Sequence, residues 1–132
     1  MGGKDGVLQV LARALDAAAL RQRVIADNIA NSNTPGFKRS GVRFEETLRR
    51  VLGGERLPLF TTRPRHIGSA GPGDVEPEVV TERHTARRAD GNNVDMEREM
   101  VELVANALAY RTAAQVLAAK FDGLRYVING GR

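Results

Sequence analysis

The chain has 132 residues, 42% of them apolar and 27% charged, a formal net charge of +4, and neither cysteine nor tryptophan. This length suits one domain or one repeating assembly unit, and the composition excludes a disulfide scaffold, a thiolate metal site and a cysteine nucleophile. Aromatic residues make up only 5%, so the core must be aliphatic and rich in alanine.

Apolar residues gather at the two ends, with 18 in residues 1–37, 22 in 91–132 and only 15 in the longer stretch 38–90. Three segments follow from this partition: an N-terminal helix and Asn-rich turn (1–37), an extended middle (38–90) and a long C-terminal helix (91–132). Together they form one assembly unit. The net charge is +1 in residues 1–36, +3 in 37–90 and zero in 91–132. A modest arginine excess without interleaved aromatics reads as a solvated loop, and no nucleic-acid partner is expected.

In the first segment Leu8, Leu11, Leu15, Ala18, Gln22, Ile25 and Ile29 recur in steps of three and four, a heptad-like seam with one polar position. Ala12, Ala19 and Ala26 widen its flank and leave room for another helix. Residues 7–20 are apolar enough to imitate a signal-peptide core, but Gln9, Arg13 and Asp16 interrupt them at helical spacing. No 18-residue stretch lacks charge, so no membrane span is expected. Asn31, Ser32, Asn33 and Thr34 then weaken the helix, and Pro35-Gly36 fits the centre of a type II turn before Phe37.

The middle holds four of the five prolines, Pro58, Pro64, Pro72 and Pro77, which predicts extended and irregular chain. His66 and His84 have no partner histidine at ligand spacing. The glycines at 68, 71 and 73 precede no Lys-Ser/Thr pair, so no phosphate loop is predicted. Asp90, Asn92 and Asp95 imitate a calcium loop, but Val94 occupies a ligand position and the required glycine is missing. Catalytic, cofactor and metal sites are therefore expected to be absent.

In the last segment Met96, Met100, Leu103, Ala107, Tyr110, Ala114, Leu117, Phe121, Leu124 and Ile128 keep the 4,3 alternation without a charged interruption. The spacing predicts a helix of about 50 Å, capped by Asp95 and ended by Gly130-Gly131. A second stripe runs through Val101, Val104, Leu108, Ala118 and Val127. One partner helix cannot cover so wide a surface, so other copies or other proteins are expected to bury the remainder. The predicted fold is mainly α: long N- and C-terminal helices pairing as an antiparallel coiled coil or helical-tube unit, with an extended, largely irregular middle segment.

The run Asp27-Asn28-Ile29-Ala30-Asn31-Ser32-Asn33-Thr34-Pro35-Gly36-Phe37-Lys38-Arg39 closely resembles the N-terminal signature of the axial proteins of the bacterial flagellum, the rod, hook and hook-associated proteins. Two further runs are similar to the proximal rod proteins of the FlgB type: Leu59-Phe60-Thr61-Thr62-Arg63-Pro64-Arg65-His66-Ile67, and Asp90-Gly91-Asn92-Asn93-Val94-Asp95-Met96-Glu97-Arg98-Glu99. The FlgC type of rod protein is the nearest alternative within the family. From another class, a soluble helical adaptor dimerising through the same seams shares the periodicity.

The resemblance implies a non-enzymatic structural subunit of the basal-body rod in the periplasm, polymerising by helix packing into the drive shaft and the wall of the export channel. It implies export by the flagellar type III apparatus without a cleaved signal peptide. Implied partners are other copies of the chain, other rod proteins, the adaptor between rod and membrane ring, and the export gate, with no direct lipid binding. On this reading Asn28, Asn31, Asn33, Thr34, Pro35, Gly36 and Phe37 form the turn. The assembly seam comprises Leu8, Leu11, Leu15, Ile25, Ile29, Met96, Met100, Leu103, Tyr110, Leu117, Phe121, Leu124 and Ile128.

Overall fold

A computed structural model describes residues 3–55 and 71–131, with side chains from residue 6 onward. The run Leu59–Ile67, with its prolines and His66, lies outside the described residues. Two long helices dominate, α1 (Gly3–Ala30) and α3 (Met96–Ile128). The heptad periodicity makes both, and their ends follow local chemistry. Asn31 closes α1 by turning its side-chain amide back onto the Asp27 carbonyl, 2.9 Å away. Asp95 caps α3, its carboxylate accepting from the backbone N–H groups of Glu97 and Arg98.

The helices pair antiparallel. Asn28 near the end of α1 meets Glu99 at the start of α3, Ala18 meets Asn106, and Val7 and Leu8 share a groove with Gly123, Leu124 and Val127. The small side chain of Ala18, buried beside Asn106, permits the close approach.

Between the helices the described residues are more ordered than prolines and polarity predict. Strands β1 (Ser40–Arg43) and β2 (Glu78–Thr81) pair antiparallel, Ser40 opposite Thr81 and Val42 opposite Val79. A two-turn helix, α2 (Glu45–Leu52), follows β1 with acidic residues in its first turn and Arg49 and Arg50 in its last, the polarity that a helix dipole favours. Among the described residues of this segment, regular structure is limited to this ladder, α2 and a single 3-10 turn at Pro72–Asp74, and few apolar side chains are buried there. Those few, Phe44, Leu48, Val51 and Val75, meet Ala14 and Ala17 of α1 in a small core.

α1 therefore buries two faces. Ala14 and Ala17 face the middle segment, whereas Ala18 and Asn28 face α3. Arg21 braces the first contact with a forked ion pair to Glu45, at 3.0 and 2.8 Å, and a hydrogen bond to the Val42 carbonyl at 3.1 Å. Burial pushes the Glu45 carboxyl up, but the hydrogen bond from Arg21, a backbone hydrogen bond and the Arg21 charge together outweigh it and hold the group below its ordinary value.

Phe44 is the one ring among the fully buried apolar side chains of the described residues. Phe44→Ala is expected to cost about 3–5 kcal/mol in urea unfolding, and a loss under about 1 kcal/mol would show that the cluster does not hold the middle segment to α1.

Candidate functional site: a polar knot and an uncovered helix face

Four buried polar residues meet where the turn after α1 crosses the approach to α3: Asn28, Arg39, Asn92 and Asn93, joined by Glu99 from the first turns of α3. The turn itself is closed by a hydrogen bond from the Phe37 N–H to the Thr34 carbonyl at 3.2 Å. Gly36 has φ +73°, the left-handed conformation expected at the third position of a type II turn. Its N–H donates to the Asp90 carbonyl at 2.9 Å, which ties the turn to the second motif.

Asn92 completes the tie. Its amide donates to the carbonyls of Asn31, Ser32 and Thr34 at 3.0, 3.2 and 2.8 Å, covering groups that the end of α1 leaves open. Its side-chain oxygen accepts from the Val94 N–H at 2.8 Å. Asn93 accepts from the Arg39 N–H at 2.6 Å and donates to the Glu82 carbonyl at 2.7 Å. Asn28 accepts from the Ser40 N–H at 3.0 Å while its amide donates to the Ser40 carbonyl and to Glu99 Oε2, at 2.8 and 3.1 Å. Asn33, Thr34 and Pro35 face solvent.

Arg39 is the charged centre. It is 3% exposed and donates to Glu99 Oε1 at 2.7 Å, to Glu82 at 2.5 Å and to Glu102 at 3.2 Å. Arg98 shares Glu102, at 3.0 Å. Burial penalises the Arg39 charge, yet the hydrogen bond and field of Glu99 together with the fields of Glu82 and Glu102 outweigh it and raise the guanidinium pKa above its ordinary value. Nothing in this knot has the form of a catalytic constellation. Among the described residues no group of three or more His, Cys, Asp or Glu can hold a metal ion. Its effect is mechanical: it joins the end of α1, both strands and the start of α3 at one point.

The predicted seam residues divide. On α1, Leu8, Leu11, Leu15 and Ile29 are half-buried and Ile25 is buried. On α3, Leu103, Leu117 and Leu124 are half-buried, whereas Met96, Met100, Tyr110, Phe121 and Ile128 are exposed. The inner line of α3 runs instead through Glu99, Asn106 and Ala113, seven residues apart, beside Leu103, Leu117 and Leu124. Two of those three are polar, so a search for apolar periodicity passes over them. The signals available were Gln22, the one polar position in the α1 seam, and the polar pair at heptad spacing; Gln22 and Asn106 do meet, at 3.4 Å.

The opposite side of α3 is uncovered. Val101, Val104 and Leu108 are 68, 60 and 59% exposed. At 3.6 residues per turn they lie within about 60° of one another and centre about 170° from Asn106. The helix thus has two faces for packing, and α1 occupies the more polar one.

Residues 8–38 match the family described as "Flagella basal body rod protein". The chain is 35% identical over 128 residues, 97% of each chain, to a protein of Bacillus subtilis strain 168 named flagellar basal body rod protein FlgB. Proteins of the same name from Borrelia hermsii and Salmonella typhimurium are 39 and 31% identical. Those matches cover 88 and 96% of this chain and 90 and 96% of the relatives.

Two outcomes follow from the knot. Glu99→Ala leaves Arg39 buried without its one fully buried carboxylate partner and is expected to cost about 3 kcal/mol in chemical denaturation, with Glu99→Gln costing less; equal stability of Glu99→Ala and the native chain would refute the central role of the pair. The hydrogen bond from Arg87 holds the Asp95 carboxyl below its ordinary value. A depressed folded pKa means that this contribution is complete above the unfolded value and lost as pH falls through the folded one. Arg87→Ala should move the Asp95 titration upward, as followed by carboxyl carbon NMR, and an unmoved titration contradicts the assignment.

Proposed function

The chain belongs to the FlgB family of flagellar basal body rod proteins, and on that premise we propose that its working surface is the uncovered side of the α1/α3 pair, which packs against other rod subunits. It is a structural, non-enzymatic component of the flagellar rod, and membership of the family entails assembly with other rod proteins. No helix among the described residues is long and apolar enough to cross a membrane.

The observation that carries the proposal is the Val101–Val104–Leu108 stripe, displayed on a rigid helix and opposite the intramolecular contact. Burying these three side chains against a neighbour is worth about 3–5 kcal/mol, and leaving such a surface bare invites aggregation. Met96, Met100, Tyr110, Phe121 and Ile128, also exposed, extend the surface around the helix, and Ala12, Ala19 and Ala26 offer close approach along α1. In this reading the turn residues Asn28 to Phe37 set the angle between the pair and the middle segment. The neighbours include further copies of the chain, the next rod proteins, and the adaptor and export gate at the rod base. Delivery is through the flagellar export apparatus.

Placement predicts a clean separation of folding from assembly. Val104→Asp leaves the isolated chain as stable as the native one, because the side chain is already in water, but abolishes rod assembly and motility. Leu103→Asp, one residue away and half-buried, lowers the melting point as well. Normal swimming and basal bodies in a strain with Val104→Asp would rule out the outer stripe as an assembly surface.

A further inference from the structure

The face that α3 gives to α1 is not its most apolar one. Over the first three turns its inner positions include Glu99, Glu102, Leu103 and Asn106, while Val101, Val104 and Leu108 remain outside. Burial of apolar surface alone favours turning the helix about its axis so that the outer stripe meets α1. Directional contacts must oppose that rotation. Among the described residues α1 and α3 form direct hydrogen bonds at two places, Asn28 with Glu99 and Asn106 with Ala18 and Gln22.

The first place belongs to the knot. The second stands two turns further along α3 from Glu99, about 10 Å away and one turn past Glu102, and its hydrogen bonds go to α1 and not to Arg39 or its carboxylates. There the Asn106 amide donates to the Ala18 carbonyl at 2.8 Å and to Gln22 Oε1 at 3.4 Å. Its own oxygen is buried without a partner, in a side chain only 4% exposed. A half-satisfied buried amide is less stabilising than a leucine in the same place. Single polar residues of this kind in helix seams specify which pairing forms at a cost in stability.

We propose that Asn106 selects the face of α3 that packs on α1, and so keeps the Val101–Val104–Leu108 stripe outside and available to another subunit. The inference rests on the reading of that stripe as the assembly surface. With leucine at position 106 the inner face loses its directional bond, and the distal part of α3 is free to turn its outer stripe toward α1. The chain then satisfies its own apolar surface and presents less of it to a neighbour.

Because the chain has no cysteine, a Leu108→Cys variant carries a single thiol on the stripe. In the dilute isolated chain that thiol reacts with a water-soluble maleimide as an exposed cysteine does. Adding Asn106→Leu is expected to slow labelling severalfold while leaving the melting midpoint unchanged or raised by a few degrees. An unchanged labelling rate overturns the proposal, and so does a lower midpoint or loss of the cooperative transition. These readings concern the isolated chain, so they stand apart from rod assembly, which Val104→Asp tests separately.

Discussion

The fold depends on one buried carboxylate. Glu99 enters the interior on the first turns of α3 and meets a cation from the chain after α1, Arg39, and an amide from α1 itself, Asn28. A lone carboxylate there is untenable, because removal from water costs several kcal/mol that only a paired and hydrogen-bonded setting returns. The requirement is directional. It brings α1 and the chain just after it to one point with the distant start of α3, in defined orientation, and Asn92 and Asn93 fill the hydrogen-bonding capacity around them.

An interior of this kind follows from the shortage of large apolar side chains in the middle segment. Phe44, Val51 and Val75 with Ala17 make up the apolar cluster that holds it to α1, too little to fix the crossing of two helices about 40–50 Å long. Hydrogen bonds supply the missing specificity at the base of the pair. Farther along, alanines and half-buried leucines let the helices lie close with little direction of their own. The apolar side chains in excess of what α1 can cover lie outside on α3, and a rod subunit has a use for them, since its packing is completed by neighbours.

Both long helices, the end of α1, both ends of α3 and the turn at Pro35-Gly36 were legible in the sequence, because each depends on interactions within a few residues: seam periodicity, the Asp95 cap, and the freedom of Gly36 to take positive φ. The family signature was legible for a related reason. Its asparagines do local work, as Asn31 does on Asp27, or close the loop around the turn, as Asn92 does on residues 31, 32 and 34. Strand pairing of 40–43 with 78–81 was not legible, since four-residue strands separated by more than thirty residues leave no periodic trace.

By itself, therefore, the sequence determined that the chain is two long helices joined by a polar middle, and that more apolar surface exists than one partner helix can bury. Which side of α3 turns inward was decided only in three dimensions. Apolar periodicity points to Met96, Met100 and Tyr110, but in the folded chain Glu99 and Asn106 take the inner positions. Hydrophobic burial has no direction, whereas the bonds of Glu99 to Arg39 and Asn28 and of Asn106 to Ala18 do. Those partners come together only when the chain after α1 folds back onto the start of α3.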